Sequence, residues 1–315
     1  MKIFLTGASG FLGSNLLRVA QEKFNDEIFA AVHSWQPQSS PNFQFAPIEL
    51  TDRDAVLTTV RAVQPDVIIH SAFMIHLAQM YRERELAWRT NVEATHHLTD
   101  AANECGAQII FISTDWVFDG MQGDATEVTP PNPINYYGVM KVASERIIAE
   151  RANNWAVARV AGMSGVHWLR PNEELVQNAG FGNFVSAILT SLQRGEPFRV
   201  WLGENVNLRA TPSLATDSAE MILKIAHLDA QGIFHCTGGE SIGRLQFAQR
   251  IARTFGYDEN QIQPAAPTVD LPRGARIPED SSLNAQYTAR TLNHSLLDVE
   301  EILARFNREK ETGEI

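Results

Sequence analysis

Cysteine is scarce: Cys105 and Cys236 are the only two in 315 residues. Two thiols exclude a disulfide scaffold and an all-cysteine zinc site, and each sits in or beside an apolar stretch, as a buried free thiol would. Positive charge is also in deficit. The chain has 26 Lys and Arg against 37 Asp and Glu, a formal charge of −11. A nucleic-acid binder needs clustered Lys and Arg to neutralise phosphates, so no nucleic-acid partner is expected. No apolar run approaches 18 residues, so no membrane span is expected. The chain runs from Met1 straight into a glycine motif rather than a signal-peptide core, and the cytoplasm is the expected compartment. His96 and His97 lack a third spaced ligand, so no metal site is expected. There is no internal repeat and no low-complexity segment. What is present, 44% hydrophobic and 20% charged residues, fits a folded globular protein of one large or two smaller domains.

The first 160 residues alternate short apolar runs with helical patterns. The runs are 2–6 (KIFLT), 27–32 (EIFAAV), 67–70 (VIIH), 108–113 (QIIFIS) and 155–160 (WAVARV), with a weaker one at 45–50 interrupted by Pro47. Near-continuous apolar runs suit strands buried on both faces of a parallel sheet. Helices are expected over 10–21, 52–63, 81–105 and 137–153. This alternation predicts an α/β fold, a doubly wound, Rossmann-type parallel sheet with right-handed crossovers, plus a smaller C-terminal α/β domain. Residues 1–160 are expected to bind a dinucleotide, with return segments near 198–236, and 161–315 mainly a substrate. In the second half, helices are expected over 183–195, 213–226, 241–255 and 295–306, and strands over 198–201 and 232–236. Residues 264–293 read as irregular and 307–315 as a frayed polar tail.

Residues 6–13 (TGASGFLG) end the first strand and open the first helix. Glycines there permit a tight turn and close approach to a pyrophosphate, and the helix N-terminus offers free N–H groups. Gly7, Ser9, Gly10, Phe11, Leu12 and Gly13 are therefore candidate cofactor-binding residues. An acid about 20 residues on would grip a ribose 2′-hydroxyl. His33 and Ser34 stand there instead, which removes the repulsion of a 2′-phosphate and favours NADP over NAD. Tyr137 and Lys141 form Y-x-x-x-K, placing both on one helix face, where the ammonium favours tyrosinate. Such a tyrosine can give a proton to a carbonyl oxygen. Thr114 follows the fifth strand, at the sheet edge that faces ligands, and can bond the same oxygen.

Residues 6–13, Asn91, the run 113–120 (STDWVFDG) and Tyr137 to Lys141 together resemble the extended short-chain dehydrogenase/reductase superfamily. Within it, the 113–120 run and 133–138 (PINYYG) resemble the dTDP-4-dehydrorhamnose reductases. The likeness continues through Gly182-Asn183-Phe184, Thr211-Pro212-Ser213 with Asp217, Gly238 to Ser241 and Asn293 to Asp298.

The resemblance implies Tyr137 as acid/base, Lys141 on the nicotinamide ribose and Thr114 on the substrate carbonyl. It further implies that Asn91 orders the structure or a proton path near the lysine. Glu49 and Leu50 would lie near the adenine, Ser71 and Ala72 beside the cofactor, Val160 near the nicotinamide and Asp115 beside the catalytic threonine. Val117, Phe118, His76, Trp168 and Arg209 are candidates for the substrate side.

The sequence departs from the family at His76, at Arg159-Val160-Ala161-Gly162 and in a longer segment 162–180, which carries Trp168 and Arg170. That segment is expected to cover the substrate cleft. The implied activity is reduction, with NADP or NAD, of a carbonyl on a nucleotide-linked 4-keto-6-deoxy sugar. An NAD-dependent epimerase or dehydratase and a regulatory subunit of the methionine adenosyltransferase type are the alternatives. A homodimer through the helices over 81–105 and 137–153 is expected by analogy.

Overall fold

A computed structural model describes residues 1–33, 43–172, 176–268 and 270–315. Its centre is a parallel sheet of seven strands: β1 (Lys2–Thr6), β2 (Glu27–Val32), β3 (Phe43–Pro47), β4 (Val67–His70), β5 (Gln108–Thr114), β6 (Trp155–Val160) and β7 (Gly232–His235). The spatial order is β3-β2-β1-β4-β5-β6-β7. The order reverses between β1 and β4, where Thr6 pairs with His70, and a crevice opens at such a switch point. β4 and β5 are buried at every position, which is why those runs carry no polar alternation.

Helices cover both faces. Phe11–Val19 and Ala215–His227 pack on one, while Arg53–Val63, Ala94–Cys105 and Tyr136–Arg151 pack on the other. A second apolar core gathers Phe181, Phe184, Phe198, Phe247 and Phe306 away from the sheet. Of the segments expected to return to the sheet, Ala215–His227 and β7 do so. Phe198–Trp201 pairs instead with Ile262–Ala265, in that second core.

Three expectations are corrected. The helix expected over 81–105 is divided into Leu77–Arg82, Arg84–Trp88, a π turn Arg89–Glu93 and Ala94–Cys105. The break falls at Glu83, whose φ of −119° and ψ of 56° leave the helical region. The tail expected to fray is helical to Thr312, started by a capping box between Asp298 and Glu301. It docks because Glu309 is buried against Thr216 and Arg18 donates to the Gly313 carbonyl. Within 264–293, expected to be irregular, Gln286–Thr291 forms a helix. Cys236 is buried as expected, while Cys105 is only half-buried.

Candidate active site

The glycine loop turns as its sequence requires. Gly7 has φ +70°, and a Cβ there would lie 2.6 Å from the Ala72 nitrogen. A Cβ on Gly13 would meet the Gly7 carbonyl oxygen at 2.1 Å. These two glycines let β1, the first helix and the segment after β4 close on one another. The result is a crevice of about 320 Å³ lined by Gly7, Ser9, Gly10, His33, Glu49, Leu50, Ser71 and Ala72, together with Phe73, Met74 and Thr90. Eight of the expected cofactor residues thus come together from β1, β2, β3 and β4. Phe11 and Leu12 follow on the helix, and Val160 is buried at the end of β6. Ser34 lies outside the described residues.

At one end of the crevice His33 Nε2 stands 3.7 Å from the Glu49 carboxylate. The Thr51 amide and hydroxyl both donate to Glu49, at 3.0 and 2.8 Å, and hold its carboxyl below the usual range.

A second cavity, of about 610 Å³, adjoins the first where Met74 gives way to Ile75 and His76. Thr114, Asp115, Trp116 and Tyr137 form one wall, and Asn178 to Asn183, Leu271 and Ile277 form the others. Tyr137 is placed by its helix cap: Asn135 Oδ1 accepts from the Gly138 amide (2.9 Å), while Asn135 Nδ2 donates to the Arg276 carbonyl (2.9 Å). The Trp116 ring stands edge-on to the tyrosine, 6.0 Å between centroids. Burial pushes the phenol pKa up, the Thr114 hydroxyl lowers it, and the Asp115 charge raises it further.

Asp115 is itself buried. Thr114 Oγ1 donates to its Oδ1 (2.9 Å) and Ser281 Oγ to its Oδ2. Desolvation outweighs these bonds and brings its pKa up to about 6. The Thr114 hydroxyl therefore points at Asp115, and bonding a substrate oxygen requires it to turn.

Lys141 lines neither cavity. Its Nζ donates to the Ile112 carbonyl (2.7 Å) and lies 3.6 Å from the Phe73 ring centroid. The Phe73 ring in turn stands edge-on to Tyr137 at 5.7 Å. Burial lowers the Lys141 pKa to about 7, opposed by the Glu145 charge. The lysine expected on a ribose thus sits behind Phe73 here, because an apolar box and a carbonyl already satisfy it.

Asn91 lies in the π turn, fully buried, and clasps the segment after β4: Oδ1 accepts from the Met74 amide (2.7 Å) and Nδ2 donates to the Met74 carbonyl (3.3 Å). It positions that wall and does not touch the reacting groups. π turns that break a helix often mark functional segments.

Four residues expected on the substrate side find other places. Val117 and Phe118 turn into a small core with Ala125, Ala161 and Leu283. Trp168 packs edge-on against Phe43, 5.9 Å away, on the sheet core. Arg209 is outside the cavity, donating to Ser241 Oγ (2.9 Å) and lying 3.9 Å from Asp280. His76 does line the cavity. The segment expected to cover the cleft is anchored at both ends, by Val166 and His167 on the first helix, with Arg170 on the glycine loop, and by Arg244, whose guanidinium holds the Asn178 and Gly180 carbonyls.

Two features escaped the sequence reading. His70 is buried, with Nδ1 2.8 Å from Thr6 Oγ1 and Nε2 3.1 Å from Thr95 Oγ1; burial and Lys141 lower its pKa to about 3, so it is a neutral strut. Glu145, four residues past Lys141, is buried in a bidentate pair with Arg159. Its i+4 spacing from Lys141 was the available signal.

A doubly wound sheet with a glycine loop at its switch point, and a tyrosine and threonine meeting in the adjoining cavity, define an extended short-chain dehydrogenase/reductase. The chain belongs to the RmlD substrate binding domain family, whose profile matches residues 1–311. It is 29% identical over 277 residues to methionine adenosyltransferase 2 subunit beta of Xenopus laevis, covering 87% of this chain and 77% of that protein. It is 25% identical over 299 residues to dTDP-4-dehydrorhamnose reductase of Aggregatibacter actinomycetemcomitans, covering 90% of each. Among solved structures, a hypothetical dTDP-4-dehydrorhamnose reductase from Sulfolobus tokodaii superposes with a TM-score of 0.77 at 28% identity, covering 96% of this chain and 99% of that one. The fold also matches dTDP-4-dehydrorhamnose reductase from Bacillus anthracis in complex with NADP, with a TM-score of 0.75 at 24% identity and coverage of 98% and 99%.

Proposed function

We propose that the protein is a soluble, cytoplasmic NADP- or NAD-dependent reductase of a carbonyl on a nucleotide-linked 4-keto-6-deoxy sugar. The observation that carries this reading is the placement of Thr114, Asp115 and Tyr137 on one wall of a cavity adjoining the glycine-loop crevice. Residues 1–160, joined by Ala215–His227 and β7, form the cofactor half; most of 161–315 forms the substrate half. The nicotinamide, when bound, supplies a hydride. Tyr137 gives its phenolic proton to the carbonyl oxygen, and Thr114, turning from Asp115, holds that oxygen. Lys141 reaches the ribose side once Phe73 moves aside, and its ammonium favours the tyrosinate left behind. An NADPH-oxidation screen over keto-sugar nucleotides and simple ketones tests the assignment; turnover of none of them would overturn it.

NADPH is expected to bind more tightly than NADH, because β2 is followed by His33 rather than by an acid. Glu49 is the carboxylate in that end of the crevice, so Glu49→Gln is expected to widen the preference. Fluorescence titrations check both. NADH bound tenfold tighter, a difference of about 1.4 kcal/mol, would reverse the reading.

A homodimer is proposed through the helices flanking the cavity, where Leu86, Trp88 and Val139 stand 42%, 39% and 42% exposed. Sedimentation is expected to give a dimer that Trp88→Glu dissociates; a monomeric parent protein would refute it.

A second reading has its own support. Several of the similar sequences, at 26–29% identity, are beta subunits of methionine adenosyltransferase 2. On that reading the chain binds a dinucleotide and a partner without turning a substrate over.

A further inference from the structure

Residues 165–170 lie across the start of the helix that follows the glycine loop. Asn15 Nδ2 donates to the Val166 carbonyl (3.2 Å). His167 is buried, stands edge-on to Phe11, and has Nδ1 3.2 Å from Ser14 Oγ. Ser14 Oγ donates to the Phe11 carbonyl (2.9 Å), so it accepts from the imidazole, and Nδ1 carries the ring hydrogen. His167 Nε2 is then the acceptor for Arg170, whose Nη2 lies 2.8 Å and Nε 3.2 Å away. Arg170 Nη2 also donates to the Ser9 carbonyl (3.3 Å). The guanidinium is therefore tied to the glycine loop directly at Ser9 and, through His167 and Ser14, to the helix behind it.

We propose that Arg170, positioned by His167, is the side chain that binds the pyrophosphate of the dinucleotide; this rests on the cofactor reading above. The crevice offers a dinucleotide little positive charge of its own. Among its described lining residues there is no lysine or arginine, and the ionisable ones are His33 and Glu49. Residues 6–13 (TGASGFLG) carry no charge either. A pyrophosphate brings two negative charges, which backbone N–H groups and a helix dipole meet only in part. A guanidinium fork matches phosphate oxygens two at a time and is the natural complement. Arg170 is a cation that the chain fixes against this loop, and the longer segment 162–180 is what carries it there.

The test measures binding without turnover, by calorimetric titration of the full-length protein. Arg170→Ala is expected to weaken NADPH and NADH alike, by roughly ten- to hundredfold, as for a lost charge-assisted hydrogen bond. Arg170→Gln, which keeps a donor near Ser9 and removes the charge, should lose nearly as much, and Arg170→Lys should recover part. His167→Ala should lose less than Arg170→Ala. Adenosine 2′-monophosphate, which fills the adenosine end and carries no 5′-phosphate, should bind the parent and the variants within about twofold. Unchanged NADPH affinity in both Arg170→Ala and Arg170→Gln would overturn the proposal. Equal weakening of the fragment and the dinucleotide would also overturn it, since that is the result of a merely structural role. If the parent binds neither dinucleotide, the cofactor reading itself fails, an outcome separate from loss in the variants alone.

Discussion

Replacing Tyr137 by phenylalanine is expected to lower kcat by roughly 10²–10⁴-fold, the usual contribution of a positioned general acid. The substitution removes one hydroxyl and almost no volume. Its ring contacts with Trp116 and Phe73 are edge-on and survive, so the helix start and the cavity wall keep their shape. Affinity for NADPH should change little, because Tyr137 lines the substrate cavity rather than the glycine-loop crevice. Steady-state rates with the identified sugar nucleotide, beside a cofactor titration, separate the two effects. A variant that turns over at the parent rate would remove Tyr137 as the acid. Burial holds the phenol above its ordinary pKa, so it enters the reaction protonated, as a proton donor must.

Glu145→Ala should destabilise the fold by about 3–5 kcal/mol, the range for stripping one partner from a buried ion pair. Glu145 and Arg159 are 5% and 1% exposed, and their two bonds measure 2.9 and 2.7 Å. Ser113 Oγ adds a third bond to the same carboxylate, at 2.5 Å. Without the carboxylate the guanidinium remains buried against the Phe118 ring, 5.2 Å away, with no compensating charge. Total stability of a protein is typically about 5–15 kcal/mol, so the loss should be plain in urea denaturation. The double change Glu145→Leu with Arg159→Leu should recover much of it, since an apolar pair needs no desolvation. A single-variant loss under about 1 kcal/mol would contradict the account. The variant should also weaken catalysis. The Glu145 charge opposes the downward shift of Lys141, and its removal lets that pKa fall below about 7, leaving less ammonium at neutral pH.

The cofactor crevice was legible because its residues follow directly from strand ends. Gly7 and Ser71 each come just after an apolar run, and a parallel sheet brings such ends to one edge, while Glu49 lay inside the weak run 45–50 and was placed by the family resemblance. The substrate side was less so. Val117 and Phe118 follow Thr114 in sequence, yet the short 3-10 turn Asp115–Val117 rotates them into a core with Leu283. Trp168 sits in a turn and Arg209 in a two-residue strand, too short for sequence spacing to carry a direction. Glu145 and Arg159 are charged residues inside a core, a placement that depends on each finding the other.

Local periodicity thus determined the strands, most of the helices and the glycine turn, because those depend on neighbours within a few residues. It also placed Tyr137 and Lys141 on one helix face. Only the tertiary structure decided that Ser281 donates a hydrogen bond to Asp115 beside Thr114, that Phe73 screens Lys141, and that a buried histidine brings Arg170 onto the glycine loop. Each of these joins segments far apart in the chain, and their geometry is fixed by packing and desolvation, which act only once the chain has closed on itself.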